Sequence, residues 1–419
     1  MSANRLDTIQ SLQFQNKQAA EALLAEFICE TFPLEISRVE LRPLAVSLNS
    51  FNGFITLANG ERLFFKTHAE ADNVISEYYN AQRLADAGYP VIQPVLSSTE
   101  AGKQLLIYEV IESPSVFDLA WAIENGDNSY YQLLSQAQNT ADDHLFQLYQ
   151  NTLEPSSADE AATSPIHQLF YHRLTGGRLA SFYGGTNVSS EHRQIALPNA
   201  IFDMRQVRQV VWRINGQVYQ QNLDTLIQNA IQLLNPAQVG PSIIGHGDAH
   251  NGNVFFQEDA GLPSLLYFDP AFAGRHDPLL DIIKPLFHNV FAMWMYFPRE
   301  KTASTYAALR VDGDVWEVEH NYQLHPIRFM FLRSKVDRVV TPLLRLLSRQ
   351  NQLRSDWRAY VKSALFCCPF LTMNLADSNK FTPTASLLGL TMSVEMGAES
   401  HEKRSLIDTI LDDIERSIW

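Results

Sequence analysis

The sequence predicts an α+β fold with two lobes, a small antiparallel-sheet lobe at 1–112 and a larger, mainly helical lobe at 113–419. Three observations support it. Strand-like apolar runs separated by turn residues fill much of the first lobe, whereas helical spacing dominates from about Ser113 onward. Asn59-Gly60 also lies between two apolar runs, FITLA and RLFF. That pattern predicts a tight hairpin with positive φ at both central residues, a type I′ turn.

The elements of the first lobe follow from the spacing of apolar residues. Leu6, Ile9, Leu12 and Leu23 lie on related faces of one amphipathic helix predicted over 5–31. A second helical stripe predicts a helix over 69–87 that Gly88 ends. The predicted strands cover 37–44, 45–57, 61–68 and 104–111.

Few strands are expected in the second lobe. Segment 151–165 has the composition of a loop or linker, and short strands are predicted at 242–245 and 264–269. Asp277-Pro278 is typical of a helix start, with Asp as the N-cap and Pro in the first turn. Pro285 is expected to kink or end that helix.

Composition and charge narrow the class of protein. Hydrophobic residues make up 46% of the 419 residues and charged residues 19%, as in ordinary globular chains. The net charge of −14 argues against nucleic acid as a partner, because phosphate backbones attract basic surfaces. The polar N-terminus and the short apolar stretches argue against a membrane partner. Three cysteines without a CxxC spacing fit a reducing cytoplasm, which is the expected location.

The densest group of polar residues is the segment IIGHGDAHNGNVFF at 243–256. It carries His246, Asp248, His250 and Asn253 between two apolar strands, and the next predicted strand ends at Asp269, which a tight turn would place beside Asn253. Phosphoryl transfer needs an aspartate that accepts the proton of the attacking hydroxyl, and an amide and a carboxylate that hold Mg²⁺. The five-residue gap from Asp248 to Asn253 is also that of the kinase catalytic loop.

The run HGDAHNGN at 246–253 resembles the HGDxHxxN loop of the aminoglycoside phosphotransferase and choline kinase superfamily, which has a protein-kinase-like fold. The segment YFDPAFAGRHDPLLDI resembles the family's magnesium segment, with two residues inserted. The resemblance implies an ATP-dependent kinase that phosphorylates a hydroxyl group of a small molecule. It implies the following roles: catalytic base, Asp248; Mg²⁺ ligands, Asn253 and Asp269; support of the loop, His246, His250 and Asp281.

For the first lobe, the resemblance implies the nucleotide clamp. Lys66 ends the strand RLFFK, where the family places a lysine on the α- and β-phosphates, and Glu77 on the next helix is its expected partner, ahead of Glu70. The backbone at Glu109, Val110 and Ile111 is expected to bind the adenine edge. The first hairpin contains Gly53 but no glycine triplet, so its polar residues are the phosphate-binding candidates: Ser47, Asn49, Ser50 and Asn52.

Two other functions remain open from the residues alone. The first is a metal-dependent phosphatase, because the chain offers its types of metal ligand at His246, Asp248, His250, Asp269 and His276. However, the upstream Asp-x-His motif expected of such enzymes falls in a helix-like segment. A catalytically silent nucleotide-binding scaffold is the third reading.

The acceptor is not specified by the sequence, nor is the oligomeric state. Arg173 and Arg178 fit an anionic acceptor, whereas acidic residues would serve an amino alcohol or aminoglycoside. Several aromatic residues are candidates to line its pocket or to fill the core: Tyr171, Phe182, Tyr183, Trp294 and Trp357.

Overall fold

The computed structural model describes residues 5–42, 50–68, 71–100, 102–185 and 193–418. The chain divides into two compact units, one formed by 1–114 with 266–271 and the other by 115–265 with 272–419. Unit 1 contains an antiparallel sheet and unit 2 is mainly helical, so the predicted α+β class is confirmed.

Unit 1 is built around a five-stranded sheet in the order β1-β2-β3-β5-β4, with every neighbouring pair antiparallel. Its elements are α1 (Arg5–Leu12), α2 (Lys17–Thr31), β1 (Ile36–Leu41), β2 (Ser50–Leu57), β3 (Arg62–His68), α3 (Ala71–Ala87), β4 (Leu96–Ser98) and β5 (Leu105–Glu109). Its main core lies between α1, α2 and the sheet, where Phe27, Ile55, Phe65 and Ile107 are buried together. Burial of this apolar surface is the main force that holds the helices on the sheet.

The leading helix is two helices rather than one. α1 ends at Leu12, and Asn16 begins α2 by accepting a hydrogen bond from the backbone N–H of Ala19 through its side chain. An N-cap asparagine stabilises a new helix start, so the continuous apolar stripe does not require a continuous helix.

The hairpin at Asn59-Gly60 forms, but its turn differs from the predicted type I′. Gly60 has φ of +88°, whereas Asn59 is not among the residues with positive φ. The Gly60 N–H donates to the Leu57 carbonyl at 3.0 Å, and the Leu57 N–H donates to the Glu61 carbonyl at 2.8 Å. A three-residue loop that ends in a left-handed glycine has this pattern, and it needs positive φ at one position only.

Residues 266–271 belong to unit 1 although they follow the strands of the second lobe in sequence. The Tyr267 N–H donates to the Pro90 carbonyl at 2.8 Å, and the Ile92 N–H donates to the Tyr267 carbonyl at 2.9 Å. These pairs hold Asp269, two residues further on, in the first unit. The units of the structure therefore divide after Pro114 and again after Leu265, inside the strand β13 (Leu262–Tyr267).

Unit 2 contains most of the helices. They are α4 (Val116–Glu124), α5 (Tyr131–Thr152), α6 (Ala158–Ala162), α7 (Tyr171–Thr175), α8 (Arg178–Tyr183), α9 (Met204–Gln209), α10 (Leu223–Leu233), α11 (Pro278–Val290), α12 (Met293–Tyr296), α13 (Pro298–Ala303), α14 (Pro326–Lys335), α15 (Thr341–Arg349), α16 (Trp357–Leu371), α17 (Pro383–Gly397) and α18 (Leu406–Ile418). Short 3₁₀ turns cover Pro165–Leu169 and Asn251–Asn253, and a π-helical turn covers Val336–Val340. Within the described part of the chain, no helix is long and apolar enough to cross a membrane.

The second unit has more strands than the sequence predicts. They are β6 (Glu154–Ser156), β7 (Gln194–Leu197), β8 (Ala200–Asp203), β9 (Val211–Ile214), β10 (Gln217–Tyr219), β11 (Gly240–Gly245), β12 (Val254–Asp259), β13 (Leu262–Tyr267), β14 (Gly274–His276), β15 (Ala307–Asp312) and β16 (Val315–His320). The sheet β10-β9-β16-β15 pairs β9 with β16 in parallel over a long sequence distance, a pairing that local patterns do not reveal.

The predicted linker at 151–165 is ordered instead. β6 pairs with β11, and Ser157 and Glu160 form a reciprocal capping box at the start of α6. The Ser and Pro residues there mark element ends. The loop-like composition of this segment therefore did not indicate the strand and the short helix that it forms.

Helix α11 begins as predicted but continues through Pro285. The Asp277 carboxylate accepts hydrogen bonds from the N–H groups of Leu279 and Leu280, and Pro278 occupies the first turn. All residues of α11 are buried, and the helix packs against α14 and α16. This burial outweighs the backbone hydrogen bond that a proline inside a helix removes, so the expected end at Pro285 is wrong.

Candidate functional site

Unit 1 brings together a lysine and two carboxylates, which with Tyr108 we call the Lys66 cluster. Lys66 lies on β3, and its ammonium contacts Glu77 of α3 at 2.7 Å and Asp269 at 3.1 Å. The Tyr108 hydroxyl donates to Glu77 at 3.3 Å. Glu77 is buried, whereas 44% of the Asp269 side chain is exposed. The buried partner therefore fixes the ammonium, and the exposed one faces solvent.

The charge balance of the Lys66 cluster keeps the lysine protonated. Burial lowers the pKa of Lys66, but Glu77 and Asp269 together outweigh it and raise the pKa above its ordinary value. One cation then faces two carboxylates, so the cluster carries excess negative charge. Asp269 also adopts a left-handed backbone conformation, with φ of +56°, which an aspartate adopts at some energetic cost.

The other residues predicted to bind nucleotide lie on the same sheet. Asn52 of β2 is opposite Lys66 in the antiparallel pair, and Ser50 begins β2 opposite His68. Glu109 ends β5 opposite Leu63, and Val110 and Ile111 follow it. Ser47, Asn49 and Glu70 lie outside the described residues.

Gly53 has a packing reason rather than a ligand-binding one. A Cβ atom at this position would lie 2.0 Å from the Glu40 carbonyl oxygen of the paired strand β1. Any side chain would force the two strands apart, so the glycine is required by the sheet itself.

In unit 2, the loop at 246–253 is anchored by Asp281. β11 leads into the loop, and the Gly247 N–H donates to the Asp281 carboxylate at 2.7 Å. The Tyr149 hydroxyl donates to the other oxygen of Asp281. A Cβ at Gly245 would lie 2.4 Å from this carboxyl group, so glycine is needed where the strand passes it. Asp281 therefore connects the loop to α5 and α11.

The histidines and Asn253 shape the interior of the loop. The His250 ring accepts from the Gly252 N–H at 3.0 Å, and the Asn253 side-chain amide donates to the Asp248 carbonyl at 2.9 Å. His246 is buried beside the loop, with its Nδ1 at 3.4 Å from the Asp248 backbone N–H. Because the Asn253 nitrogen is used inside the loop, its Oδ1 remains as an oxygen donor for a cation.

Sequence reasoning missed the partner of Asp248. Lys284 of α11 forms an ion pair with the Asp248 carboxylate, and their side chains are 7% and 13% exposed. Lys284 follows Asp281 by three residues, so the two project from the same side of the helix. A lysine inside the apolar run DIIKPLF was the available signal, because buried lysines are rare unless paired.

The pair belongs to a larger group, which we call the Asp248 cluster and define as Asp248, Lys284, Arg173, His288 and Thr372. Arg173 of α7 donates to the Thr372 hydroxyl at 3.3 Å, and His288 Nε2 lies 3.5 Å from the same hydroxyl. The rings of His250 and His288 are 5.8 Å apart. Burial lowers the pKa of Lys284, and Asp248 offsets this effect in part.

Arg178 and the predicted aromatic residues have structural positions. Arg178 donates to the carbonyls of Leu371 and Thr372 at 3.2 and 3.0 Å, at the end of α16. Tyr183, Trp294 and Trp357 are buried. Tyr171 and Phe182 are half-buried: Tyr171 contacts His172 and Phe182 contacts Tyr183.

The metal-hydrolase reading gains no support from the geometry. Within the described residues, no group of three or more His, Cys, Asp or Glu side chains is arranged to hold a metal ion. His276 is buried, and its Nδ1 lies 2.9 Å from the Ser164 hydroxyl. Asp142 lies in α5 and pairs with Lys335 instead of marking a strand end.

No family model matches the chain, and no curated protein matches it. Similar solved structures include an amicoumacin kinase in complex with AMP-PNP, Ca²⁺ and its ligand, with a TM-score of 0.46 and 14% identity over 89% of this chain and 92% of that one. An aminoglycoside phosphotransferase bound to ADP and hygromycin B has a TM-score of 0.44 and 13% identity over 89% and 98% of the two chains. A microcompartment-associated aminopropanol kinase has a TM-score of 0.42 and 11% identity over 90% and 95%. These three solved structures are named as kinases or phosphotransferases, and the likeness to them concerns the fold.

Proposed function

We propose that the protein is an ATP-dependent kinase that transfers the γ-phosphoryl group to a hydroxyl group of a small molecule. The observation that carries the proposal is the position of Asp248 in unit 2. It lies in a loop tied down by Asp281, and its carboxylate is held by Lys284. A fixed carboxylate beside a loop asparagine is the arrangement that orients an attacking hydroxyl and accepts its proton.

Asp248 is the proposed catalytic base. Its side chain is largely buried, and Lys284 restricts its rotation, so the carboxylate is positioned before the acceptor binds. His250 Nε2 lies 3.7 Å from Asp248, which adds a second contact to the same side chain. His246, His250 and Asp281 are proposed to maintain the loop rather than to touch the reacting groups.

The Lys66 cluster of unit 1 is the proposed site for the nucleotide phosphates. Lys66 keeps its charge, and Glu77 holds it from the buried side with the help of Tyr108. A fixed ammonium stabilises the negative charge on phosphate oxygens without reorganising during the reaction. Asn52 and Ser50 on β2, and the backbone at Glu109, Val110 and Ile111, are proposed to complete the nucleotide contacts.

Asp269 and Asn253 are the proposed Mg²⁺ ligands, and their chemistry fits that ion. Both offer oxygen donors, and the Asp269 carboxylate is accessible because nearly half of its side chain is exposed. When bound, Mg²⁺ supplies positive charge that shields the phosphates from the attacking oxygen. The excess negative charge of the Lys66 cluster favours a cation at Asp269.

An ATP-consumption screen over hydroxyl compounds, with ATP·Mg²⁺ binding measured by thermal shift, tests the proposal. We expect wild-type protein to bind ATP·Mg²⁺ and to consume ATP with at least one acceptor, and Asp248→Asn to bind it without turnover. The proposal is contradicted if the wild type neither binds ATP·Mg²⁺ nor consumes ATP with any acceptor. Metal binding without nucleotide, together with hydrolysis of phosphate esters, would support the phosphatase instead. Nucleotide binding without turnover of any acceptor would support the scaffold.

A further inference from the structure

We infer that the acceptor is anionic, a hydroxyl compound with a carboxylate or phosphate group that binds Arg173 while its hydroxyl lies at Asp248. This inference rests on the proposed function, because it assigns the substrate class of the same catalytic loop. It concerns unit 2 alone, where all members of the Asp248 cluster lie.

The first observation is the sign of the charge around Asp248. Lys284 pairs directly with its carboxylate, and Arg173 lies within electrostatic reach of both side chains. Burial and the neighbouring Lys284 hold the pKa of His288 well below its ordinary value, so this ring is neutral at pH 7. Two cations therefore face one carboxylate. A cationic acceptor would have to approach against this balance, whereas an anionic one would restore neutrality.

The second observation is the incomplete hydrogen bonding of Arg173. Its side chain is buried, with 8% of the residue exposed, and its Nε has no hydrogen-bond partner among the residues that the structure describes. Its Nη1 has a neutral partner in the Thr372 hydroxyl at 3.3 Å. A buried guanidinium without a carboxylate partner is costly, since such groups are normally paired. Arg208 differs, because this arginine is 1% exposed and contacts the Asp224 carboxylate at 2.6 Å.

The third observation is the physical link between Arg173 and the loop. Thr372 lies between Arg173 and His288, and the His288 ring lies next to that of His250. His288 Nδ1 is also 2.7 Å from the Tyr296 hydroxyl, which fixes the orientation of the ring. Thr372, His288 and His250 therefore form a series of contacts between Arg173 and Asp248. We infer that a small acceptor bound at Arg173 contacts members of this series.

The reaction balances with this acceptor. The hydroxyl oxygen of the acceptor forms a bond to the γ-phosphorus, and the bond from that phosphorus to the β–γ bridging oxygen breaks. The hydroxyl proton passes to the Asp248 carboxylate, and ADP leaves with the bond electrons. The carboxylate or phosphate group of the acceptor takes no part in bond changes and remains paired with the guanidinium of Arg173. Bidentate pairing of this kind orients as well as binds.

The test compares acceptors that differ in charge. Binding and ATP consumption are measured with three sets of hydroxyl compounds: the anions glycerate, malate and glycerol 3-phosphate, the neutral glycerol, and the cations choline and ethanolamine. We expect anions to bind and to stimulate ATP consumption. The two carboxylates and the phosphate monoester distinguish which anionic group is preferred.

Variants of Arg173 then locate the anion. Arg173→Gln should raise the KM of the best anionic acceptor about 10- to 100-fold, as expected for loss of a charge-assisted pair, with the KM for ATP nearly unchanged. Arg173→Lys should recover part of the loss, and it also serves if the Gln variant unfolds. Arg310→Gln is the matched control, because this arginine lies on β15, 71% of its side chain is exposed, and its partner is Glu317.

The outcomes separate this inference from the proposed function. If choline, ethanolamine or glycerol is phosphorylated and the anions are not, the inference is wrong but the kinase proposal stands. The same holds if Arg173→Gln leaves the anion KM unchanged, or if ATP·Mg²⁺ binds but none of these anions does. If ATP·Mg²⁺ itself does not bind, the proposed function fails as well.

Discussion

The protein contains two lysine–carboxylate pairs, one in each unit, whose environments shift the lysine pKa values in opposite directions. Lys66 contacts Glu77 and Asp269, and its pKa is raised. Lys284 pairs with Asp248, and its pKa is lowered. Burial disfavours the charged form of both lysines, so the difference comes from their neighbours. Lys66 faces two carboxylates, whereas Lys284 faces one carboxylate and the cation Arg173.

This comparison shows how two similar pairs acquire different chemistry. Excess negative charge around Lys66 suits a cation such as Mg²⁺ and keeps the ammonium charged for phosphate oxygens. Excess positive charge around Lys284 suits an anionic acceptor, because Lys284 and Arg173 both lie near the Asp248 carboxylate. The pairs are thus expected to respond to mutation and pH in different measurements, one in nucleotide binding and the other in acceptor binding.

The largest effect is expected from Lys66→Met. Removal of the ammonium takes away a fixed phosphate contact and leaves buried Glu77 without its cation, so kcat/KM for ATP should fall about 10²- to 10³-fold. Steady-state kinetics and ATP·Mg²⁺ titration measure the change. Lys103→Met is the control, since this exposed lysine of unit 1 pairs with Glu100 at 3.2 Å. Equal kinetics for the two variants would show that Lys66 does not contact the nucleotide.

Asp269→Asn should change the dependence on Mg²⁺. Loss of a charged ligand is expected to raise the Mg²⁺ concentration for half-maximal activity at least about tenfold, because an amide oxygen binds this ion more weakly than a carboxylate. Titration of activity with Mg²⁺ at saturating ATP measures it. Asp259→Asn is a suitable control at the exposed end of β12. An unchanged Mg²⁺ requirement would contradict the role given to Asp269.

Alkaline pH should raise the KM of the acceptor a few-fold while ATP binding persists, and this difference distinguishes the two lysines. Burial lowers the pKa of Lys284, so this lysine loses its proton below pH 10.5, and it also lowers the pKa of Arg173 to about 10. Acceptor binding should therefore weaken as the pH rises towards 10.5, while ATP binding persists. Lys284→Arg keeps its charge and should reduce the alkaline loss to the part that Arg173 contributes. If ATP binding weakens first, the comparison between the two pairs is wrong.

The last prediction concerns stability and the start of α11, the helix that carries Lys284. Burial raises the pKa of Asp277 to about 6, above its value in the unfolded chain. Its contribution to stability is therefore full below about pH 4 and is lost as the pH rises through 6, by at most about 3 kcal/mol. Asp277→Asn retains an N-cap and should remove this slope in urea unfolding between pH 4 and 6. An identical slope in both proteins would contradict the assignment.

Local patterns predicted the parts of the fold that depend on short-range sequence. The hairpin at Asn59-Gly60, the start of α11 at Asp277 and the antiparallel sheet all form. Predictions failed where packing overrode a local rule. Pro285 lies inside a buried helix, and the segment at 151–165 forms a strand and a capped helix because β11 is available to pair with it.

The candidate site shows the same limit. The loop at 246–253 was visible as a motif, and the Lys66–Glu77 pair was visible from neighbouring elements. Lys284 was not, because its contact with Asp248 depends on how α11 packs beside the loop. The hydrogen bond from Tyr149 to Asp281 joins residues 132 positions apart, and the hydrogen bond from Arg173 to Thr372 joins residues 199 positions apart. Contacts at such separations are set by tertiary packing and leave no local pattern.

The most direct test of the central claim is a single-turnover experiment with ATP labelled at the γ-phosphate, in wild type and Asp248→Asn. The wild type should transfer the label to the best acceptor of the screen. Asp248→Asn should bind ATP·Mg²⁺ with a similar affinity and transfer the label at least about 100-fold more slowly, the usual size of a general-base contribution. Transfer at the wild-type rate in Asp248→Asn would contradict the assignment of the loop, and absence of transfer in the wild type would contradict the kinase itself.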